Sequence, residues 1–323
     1  MIDIFTHILP AKYLKSLQKK ASSGQVSTTQ VDALAKSPPS LLDLDLRMQS
    51  MDKYPHIQQV LTIIGPPLEA IATGAHAKEL ARIANDELAE IVSRYPRKFA
   101  AAIASLPLND IEASLAEIDR ALNDLKLKGI QLFTNINGRP LDAEEFMPLY
   151  EKIQTHDLPI FLHPISPSSQ PAYAGETGSK YNLAAIVGWP HDTTMAMMRL
   201  ACSGVLQRYP HLKFVTHHAG GTVPYLARRI EFAPYGNAEL SRPVTDYLRC
   251  FYNDTAVQGN TANLMCAYAF CGAGHLLLGS DFPMINISLL EATLQSIREM
   301  DITEAEKERI FGENARELLH LTA

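Results

Sequence analysis

Residues 213–221 carry the sequence KFVTHHAGG, a short apolar run that leads directly into two histidines. The run is apolar on both faces, which is typical of a parallel strand buried on both sides. Segments with helical spacing precede and follow it, at residues 193–207 and 222–232. This stretch therefore predicts a strand between two helices, which is the repeating unit of α/β proteins.

The same alternation extends through the chain. Segments with helical spacing follow the second, third and fourth runs, at residues 78–94, 111–125 and 143–156. Eight strands alternating with helices predict a (β/α)₈ TIM barrel of the α/β class, formed by residues 1–323 as one domain. An open doubly wound sheet is the alternative, but it does not explain polar residues at so many strand ends. The other seven runs are Ile2–Ile4, Gln59–Ile64, Phe99–Ala104, Gly129–Phe133, Pro159–Leu162, Cys250–Asn253 and Leu276–Gly279.

Two stretches interrupt this rhythm. Residues 19–46, after the first strand, and residues 164–190, after the fifth, are rich in Ser, Pro, Gly and Thr. Both follow the carboxyl ends of strands, the face of a barrel on which active sites form. We expect irregular insertions that act as lids or substrate walls.

The composition is typical of a globular protein, with 46% hydrophobic and 20% charged residues among 323. The net charge of −6 disfavours binding to nucleic acids or to acidic membranes, which require basic surfaces. Four cysteines without a CxxC pair predict a reduced, cytoplasmic chain. Neither a signal peptide nor an apolar run of membrane-spanning length is present, so no membrane association is expected.

Polar side chains end four of the predicted strands. His7 follows the first, His163 the fifth, His217 and His218 the sixth, and Asp281 the eighth. In a barrel these positions converge at one mouth, where imidazole and carboxylate groups could bind an ion such as Zn²⁺. A single histidine beside a strand is more often structural, but four strand ends together favour a shared site.

Several segments resemble signatures of the amidohydrolase-2 family, and within it those of the aminocarboxymuconate-semialdehyde decarboxylase-like enzymes. The resemblance extends nearly end to end. The segments are IDIFTHILP (2–10), LPIFLHP (158–164), THHAGGTVPYLARRI (216–230) and LGSDFP (278–283), with LKGIQLFTNINGRPLD, IVGWPHDTTMAM and IFGENARELL between and after them.

The resemblance implies a (β/α)₈ barrel with one divalent metal, bound by an N-terminal His-x-His pair, a strand-five histidine and a strand-eight aspartate. His7, His163 and Asp281 match these positions. His218 matches the catalytic acid/base, which would work with Asp281. Arg229 matches an arginine that binds the substrate carboxylate and can come from a neighbouring subunit, which implies a homodimer.

Phe5 is the departure from this pattern, because it stands where the first histidine of the pair belongs and cannot bind a metal. Three protein ligands can suffice for a catalytic zinc, and His217 or His218 could complete the shell. Zinc is the leading candidate, with manganese or magnesium as alternatives. The loss could instead weaken the affinity, change the metal or abolish binding.

Four further residues are candidates for the functional site, and some of them could instead have a purely structural role. Arg47 could bind a substrate carboxylate or lie on a helix surface, and His191 could reach the mouth from the fifth loop. Trp189 could wall the pocket or fill the core. Asp254, at the end of the seventh strand, could orient a histidine.

Three functions are open to such a site. The leading hypothesis is metal-dependent, non-oxidative decarboxylation of a small aromatic or unsaturated carboxylic acid. The second is hydrolysis or hydration of a lactone, amide or unsaturated acid on the same barrel. The third is a binding protein descended from an enzyme, for which Phe5 is the only direct support.

Overall fold

Eight parallel strands form the wall of a barrel in the computed structural model, which describes residues 1–165, 171–233 and 239–321. In chain order, the strands are β1 (Ile2–Ile8), β2 (Gln58–Ile63), β3 (Phe99–Ala102), β4 (Ile130–Phe133), β5 (Asn135–Ile136), β6 (Arg139–Pro140), β7 (Ile160–His163), β8 (Phe214–Thr216), β9 (Tyr252–Asp254) and β10 (Leu276–Leu277), and all except β5 and β6 belong to the wall. The order is β1-β2-β3 in one sheet and β10-β9-β8-β7-β4 in the other, and β5 and β6 form a small antiparallel hairpin.

Backbone hydrogen bonds join the two sheets at both seams. After β3, the Ala104 amide donates to the Gly129 carbonyl at 2.9 Å, next to β4. After β10, the Leu278 carbonyl accepts from the Ile4 amide of β1 at 2.7 Å. The eight parallel strands therefore close into the barrel that the sequence predicts, and their carboxyl ends meet at one mouth.

The first and last strands differ most from the predicted bounds. β1 extends to Ile8, beyond the predicted end at Ile4, because the polar residues Thr6 and His7 are buried within it. β10 ends at Leu277, since the Leu278 amide donates to the Ile310 carbonyl at 2.8 Å instead of to a strand. Hydrophobic runs alone cannot locate strand ends where polar side chains are buried.

Helices surround the barrel. The α-helices are α1 (Ala11–Ser22), α2 (Thr28–Leu34), α3 (Pro39–Leu42), α4 (Leu44–Met51), α5 (Leu68–Ile71), α6 (Gly74–Arg94), α7 (Ile111–Asp119), α8 (Met147–Gln154), α9 (Trp189–Cys202), α10 (Val205–Arg208), α11 (Val223–Phe232), α12 (Val244–Leu248), α13 (Thr261–Cys271), α14 (Ile287–Arg298), α15 (Glu304–Glu308) and α16 (Asn314–Leu318). π-Helical turns occur at Arg120–Asp124, Ala184–Gly188 and Arg309–Glu313.

The barrel interior is a compact apolar core beneath the mouth. One to three inward side chains from each of six strands or strand ends form it, and α16 packs against it from below. Its buried members are Ile2, Ile4, Phe5, Val60, Ala101, Ile103, Phe161, Val215, Leu277, Ala315, Leu318 and Leu319. This filled interior confines polar chemistry to the strand ends above it.

The first insertion is more regular than predicted. Residues 19–46 contain the end of α1, all of α2 and α3, and the beginning of α4. Val31, Leu34 and Leu41 are buried, so these short helices are held by packing that a local Ser/Pro-rich composition does not reveal. The prediction of an irregular insertion is wrong here.

The second insertion is shorter than predicted. A π-helical turn begins at Ala184 and α9 begins at Trp189, so the irregular part of the connection ends before residue 184. Residues 166–170 of the predicted loop lie outside the described residues. A lid role for either insertion stays a prediction.

Two observations concern the expectations of reduced cysteines and of no membrane-spanning helix. All four cysteines are free thiols. Within the described ranges, no helix combines the length and apolar character needed to cross a bilayer.

Arg47 is not a substrate ligand in this fold, which corrects the sequence-based prediction. It lies on α4 with no exposed surface, and its guanidinium donates to Gln59 Oε1 at 3.0 Å, to Thr6 Oγ1 at 3.0 Å and to the His7 carbonyl. Burial lowers the pKa of Arg47 to about 9, so the group remains charged at neutral pH. Arg47 instead joins α4 to β1 and β2 through these hydrogen bonds.

We expect Arg47→Met to lower the free energy of unfolding by about 3 kcal/mol, because it leaves buried acceptors unpaired. Urea unfolding monitored by circular dichroism measures this loss. Arg298→Met is the control, since its 40% exposed side chain pairs with Glu291 at the surface and should contribute less than about 1 kcal/mol. Equal losses in the two variants would contradict a structural role for Arg47.

Candidate active site

Four buried side chains meet at the mouth of the barrel. His7 comes from β1, His163 ends β7, His217 follows β8 and Asp281 follows β10. One potential ligand atom from each lies within 4.8 Å of all the others. The structure thus brings together the three predicted metal ligands, and His217 joins them as the fourth.

His7 is held in one tautomer by Thr62. The Thr62 hydroxyl donates its proton to the Thr6 carbonyl at 2.9 Å and lies 2.9 Å from His7 Nδ1. Because that proton is already committed, the hydroxyl must accept from Nδ1–H of His7. The Nε2 lone pair of His7 is therefore free and faces the cluster.

His163 and His217 are oriented in the same way. Nδ1 of His163 lies 2.7 Å from the Pro164 carbonyl, which can only accept. Nδ1 of His217 donates to Asp254 Oδ2, and the other carboxylate oxygen accepts from the Ala219 and Ala256 amides at 3.3 and 3.1 Å. Such Nδ1–H partners fix the orientation of metal-binding histidines. Asp254 occupies the orienting position predicted for it.

The donor atoms fit a divalent cation. Nε2 of His7, Nε2 of His217 and Oδ1 of Asp281 are buried, and none has a hydrogen-bond partner among the described residues. Asp281 Oδ1 lies 3.1 Å from His7 Nε2 and 3.4 Å from His217 Nε2. Unpaired polar atoms that converge in this way call for a shared ligand, and three imidazoles with one carboxylate suit a transition metal.

Phe5 lies directly below this cluster with no exposed surface. Its ring centroid is 4.4 Å from that of His217, 5.7 Å from His7 and 5.9 Å from His163. Phe5 therefore supports the imidazoles as an apolar floor. Of the four clustered side chains, β1 supplies His7 and the end of β8 supplies His217.

The backbone after β8 explains how two consecutive histidines both face the site. His218, Ala219, Gly220 and Gly221 all have positive φ, from 53° to 76°. A Cβ at Gly221 would lie 2.4 Å from the Pro190 carbonyl oxygen, so only glycine fits there. This sharp turn directs His217 into the cluster and leaves His218 beside it.

His218 lies against the cluster without joining it. Its ring centroid is 4.0 Å from that of His217, and the ring stacks on Trp189 with an interplanar angle of 12°. Burial, followed by the neighbouring His217 charge, lowers the pKa of His218 to about 3. His218 is therefore a neutral imidazole, and its buried Nδ1 has no hydrogen-bond partner in the described part of the chain.

The pKa of His217 is shifted in the opposite direction to the pKa values of His7 and His163. Burial lowers the pKa of both His7 and His163. Burial acts the same way on His217, but the negative charges of the nearby Asp254 and Asp281 carboxylates outweigh that effect and raise its pKa to about 10. Binding of a cation at Nε2 of His217 would therefore release a proton.

A cavity of about 660 Å³ opens above the cluster. His163, His217, His218 and Asp281 form its floor, and Trp189 lies in its wall as predicted. A volume of this size fits a small-molecule substrate. The first insertion also contributes to the wall, through α2 and through Ser37, three residues beyond the end of that helix.

Two predicted substrate ligands lie away from the cavity. His191 is in the first turn of α9, where its 66% exposed side chain faces Asp192 at 3.9 Å and not the cavity. Arg229 is an exposed residue of α11 and does not line the cavity. The prediction for His191 is wrong because the helix begins two residues before it and turns it outward. Arg229 therefore does not contact a ligand in the cavity of its own chain.

The chain belongs to the amidohydrolase family, whose model matches residues 2–321. It is 30% identical to 2-amino-3-carboxymuconate-6-semialdehyde decarboxylase of Dictyostelium discoideum, over 99% of this chain and 91% of that protein. It is 31% identical to γ-resorcylate decarboxylase of a Polaromonas species, over 87% and 89% of the two chains. The solved structure of a Polaromonas dihydroxybenzoic acid decarboxylase, with manganese and the inhibitor 2-nitroresorcinol bound, matches at a TM-score of 0.80 and 28% identity, covering 99% and 96%. The family and barrel expected from the sequence are confirmed.

Substitution of His217 and substitution of His218 should affect the metal affinity differently. We expect His217→Ala to lower the metal affinity by at least about 10-fold, because it removes an inward Nε2 donor. His218→Ala should keep the metal, since His218 lies outside the cluster. Elemental analysis after dialysis against a graded chelator series measures both affinities.

The opposite result, with metal lost from the His218 variant and retained by the His217 variant, would contradict the assignment of His217 as the fourth donor. A melting curve for each variant identifies any general loss of folding.

Proposed function

We propose that this protein is a metal-dependent carboxy-lyase that removes CO₂, without net oxidation, from a small aromatic or unsaturated carboxylic acid. The observation that carries the proposal is the four-donor cluster on the cavity floor beside a neutral, unpaired histidine. Relatives with similar chains are named decarboxylases of acids of this kind. The proposed substrate is thus a small carboxylate that fits the cavity.

The metal would be held by His7, His163, His217 and Asp281. Three imidazoles favour zinc over magnesium, which prefers six oxygen ligands. Manganese is the alternative, and it is the ion bound in the related Polaromonas structure. When bound, a divalent ion supplies a Lewis acid that holds a substrate oxygen and stabilises negative charge near it.

His218 moves the proton that replaces CO₂. Its neutral ring lines the cavity floor, where it can accept a proton from water and deliver that proton to the substrate carbon that loses the carboxyl group. The Asp281 carboxylate raises the pKa of His218, so it stabilises the imidazolium that exists between these two transfers. Trp189, stacked on the ring, keeps its plane fixed.

The proposed location is the reducing cytoplasm, which suits the four free thiols.

The protein further acts as a homodimer. An apolar face supports the dimer, since large hydrophobic side chains on α11, α9 and the turn before it are strongly exposed. On α11, Tyr225 and Phe232 are 82% and 77% exposed and flank Arg229 in sequence. The described cavity wall includes no lysine or arginine, so an Arg229 from the second subunit would supply a cation for the substrate carboxylate.

Decarboxylation is tested by CO₂ release from 2,6-dihydroxybenzoate, 6-methylsalicylate and a muconate-type acid. At least one should be turned over, and His218→Ala should lower kcat by about 10²- to 10⁴-fold while the metal content is unchanged. His191→Ala, at an exposed histidine outside the cavity, is the matched control and should retain kcat. Hydrolysis of lactones without CO₂ release from any acid would favour the hydrolase hypothesis instead.

The dimer is tested by light scattering on the purified chain. The native protein should have twice the mass of one chain, and Tyr225→Glu should give monomers because it places a charge in the apolar face. Arg229→Met should keep the dimer and raise KM for the acid. A native protein that is monomeric and fully active would rule out a contribution of Arg229 from a second subunit.

A further inference from the structure

The segment that carries Asp281 lies beyond the end of its strand. β10 ends at Leu277, and Asp281 follows four residues later with a φ of 65°, in the left-handed region that residues other than glycine rarely adopt. Backbone strain of this kind persists only where the surrounding structure enforces it. The contacts that hold this segment therefore determine where the Asp281 carboxylate lies.

The backbone of β1 makes two of these contacts. The Asp281 amide donates to the Phe5 carbonyl at 3.1 Å, and the Phe282 carbonyl accepts from the His7 amide at 2.7 Å. The strand that provides His7 thus also holds the backbone on both sides of the Asp281 side chain.

Asp3 of β1 adds a side-chain contact to the same segment. Its Oδ1 atom accepts from the Ser280 amide at 2.9 Å, and its Oδ2 atom accepts from the Ser280 hydroxyl at 2.5 Å. The Ser280 hydroxyl oxygen in turn accepts from the Phe282 amide at 3.1 Å. One carboxylate is therefore linked to the residue before Asp281 directly and to the residue after it through Ser280.

The Asp3 carboxylate is fully buried, which is costly for a charged group unless donors surround it. Burial raises the pKa of Asp3 to about 7, while the hydrogen bonds from Ser280 and the charge of Arg47 oppose that rise. Asp3 belongs neither to the four-donor cluster nor to the lining of the cavity. Any effect of Asp3 on the site must therefore pass through Ser280.

We infer that Asp3 is a positioning residue for the metal site, because through Ser280 it fixes the backbone that aims the Asp281 carboxylate at the histidines. Asp281 Oδ1 lies 3.1 Å from His7 Nε2 and 3.4 Å from His217 Nε2. The histidines of the cluster are oriented by partners at Nδ1, whereas Asp281 is oriented through its backbone. The inference rests on the metal site of the proposed function and not on the identity of the acid.

Asp3→Asn tests the inference, because the amide nitrogen that replaces one carboxylate oxygen cannot accept a hydrogen bond from Ser280. We expect the affinity for Co²⁺, measured by chelator competition, to fall about 10-fold. The visible absorption spectrum of the cobalt-loaded protein should also change, since it depends on the number and geometry of the donors.

Ser280→Ala removes only the hydroxyl link and should lower the Co²⁺ affinity about 5-fold, the effect of one hydrogen bond. The double variant should lose less than the product of the two single losses, because both changes act on the same link. Ser280→Ala carries the test alone if Asp3→Asn does not fold, as judged by its melting curve.

Glu117→Gln is the matched control. Glu117 is another buried carboxylate, on α7, and it accepts hydrogen bonds from Asn85 and Arg120 at 2.7 Å. This change should lower the melting temperature and leave the Co²⁺ affinity and spectrum of the protein as they are. The control thus distinguishes a general loss of stability from a displacement of Asp281.

A weakened and spectrally altered Co²⁺ site in the Asp3 or Ser280 variant, with the Glu117 variant unchanged, supports the inference even if no acid releases CO₂. An unchanged Co²⁺ affinity and spectrum in both variants, or an equal change in the control, would overturn it. A native protein that binds no Co²⁺ would overturn both the inference and the proposed metal-dependent function. Native Co²⁺ binding without CO₂ release from any acid would count against the decarboxylase proposal alone.

Discussion

The hydrogen bonds at Nδ1 of three histidines are the constraint on which the whole site depends. Thr62, the Pro164 carbonyl and Asp254 each accept from one ring, so that His7, His163 and His217 all direct Nε2 towards Asp281. Without these partners the rings could rotate or change tautomer, and the four donors would not converge. The closed barrel supplies the partners, because Thr62 lies on the neighbouring strand β2 and Asp254 ends β9.

Position 5 shows how the donor count is kept when a usual ligand is missing. Phe5 fills the space beneath the cluster and packs against His217. His217 lies at the end of β8, and its Nε2 atom has no hydrogen-bond partner among the described residues. The Asp254 carboxylate accepts from its Nδ1 atom and holds the ring in place. With an apolar floor at position 5, the four donors come from four different strands or strand ends.

The sequence predicted the barrel and most of the site because both follow from local patterns. Apolar runs located the strands, and polar residues at their ends located His7, His163, Asp281 and the pair at 217–218. It could not separate the two neighbouring histidines, since their directions depend on four consecutive residues with positive φ. Arg47 was misassigned because its burial depends on the packing of α4 against strands distant in sequence.

The central claim is that one divalent ion is held by His7, His163, His217 and Asp281 despite Phe5. Anomalous X-ray diffraction at the absorption edge of the bound metal, from crystals grown with zinc or with manganese, tests it most directly. The account predicts a single peak about 2.0–2.2 Å from three Nε2 atoms and one carboxylate oxygen of these residues. A peak coordinated by His218 while His217 points away, or a peak bound by only His7, His163 and Asp281, would contradict it.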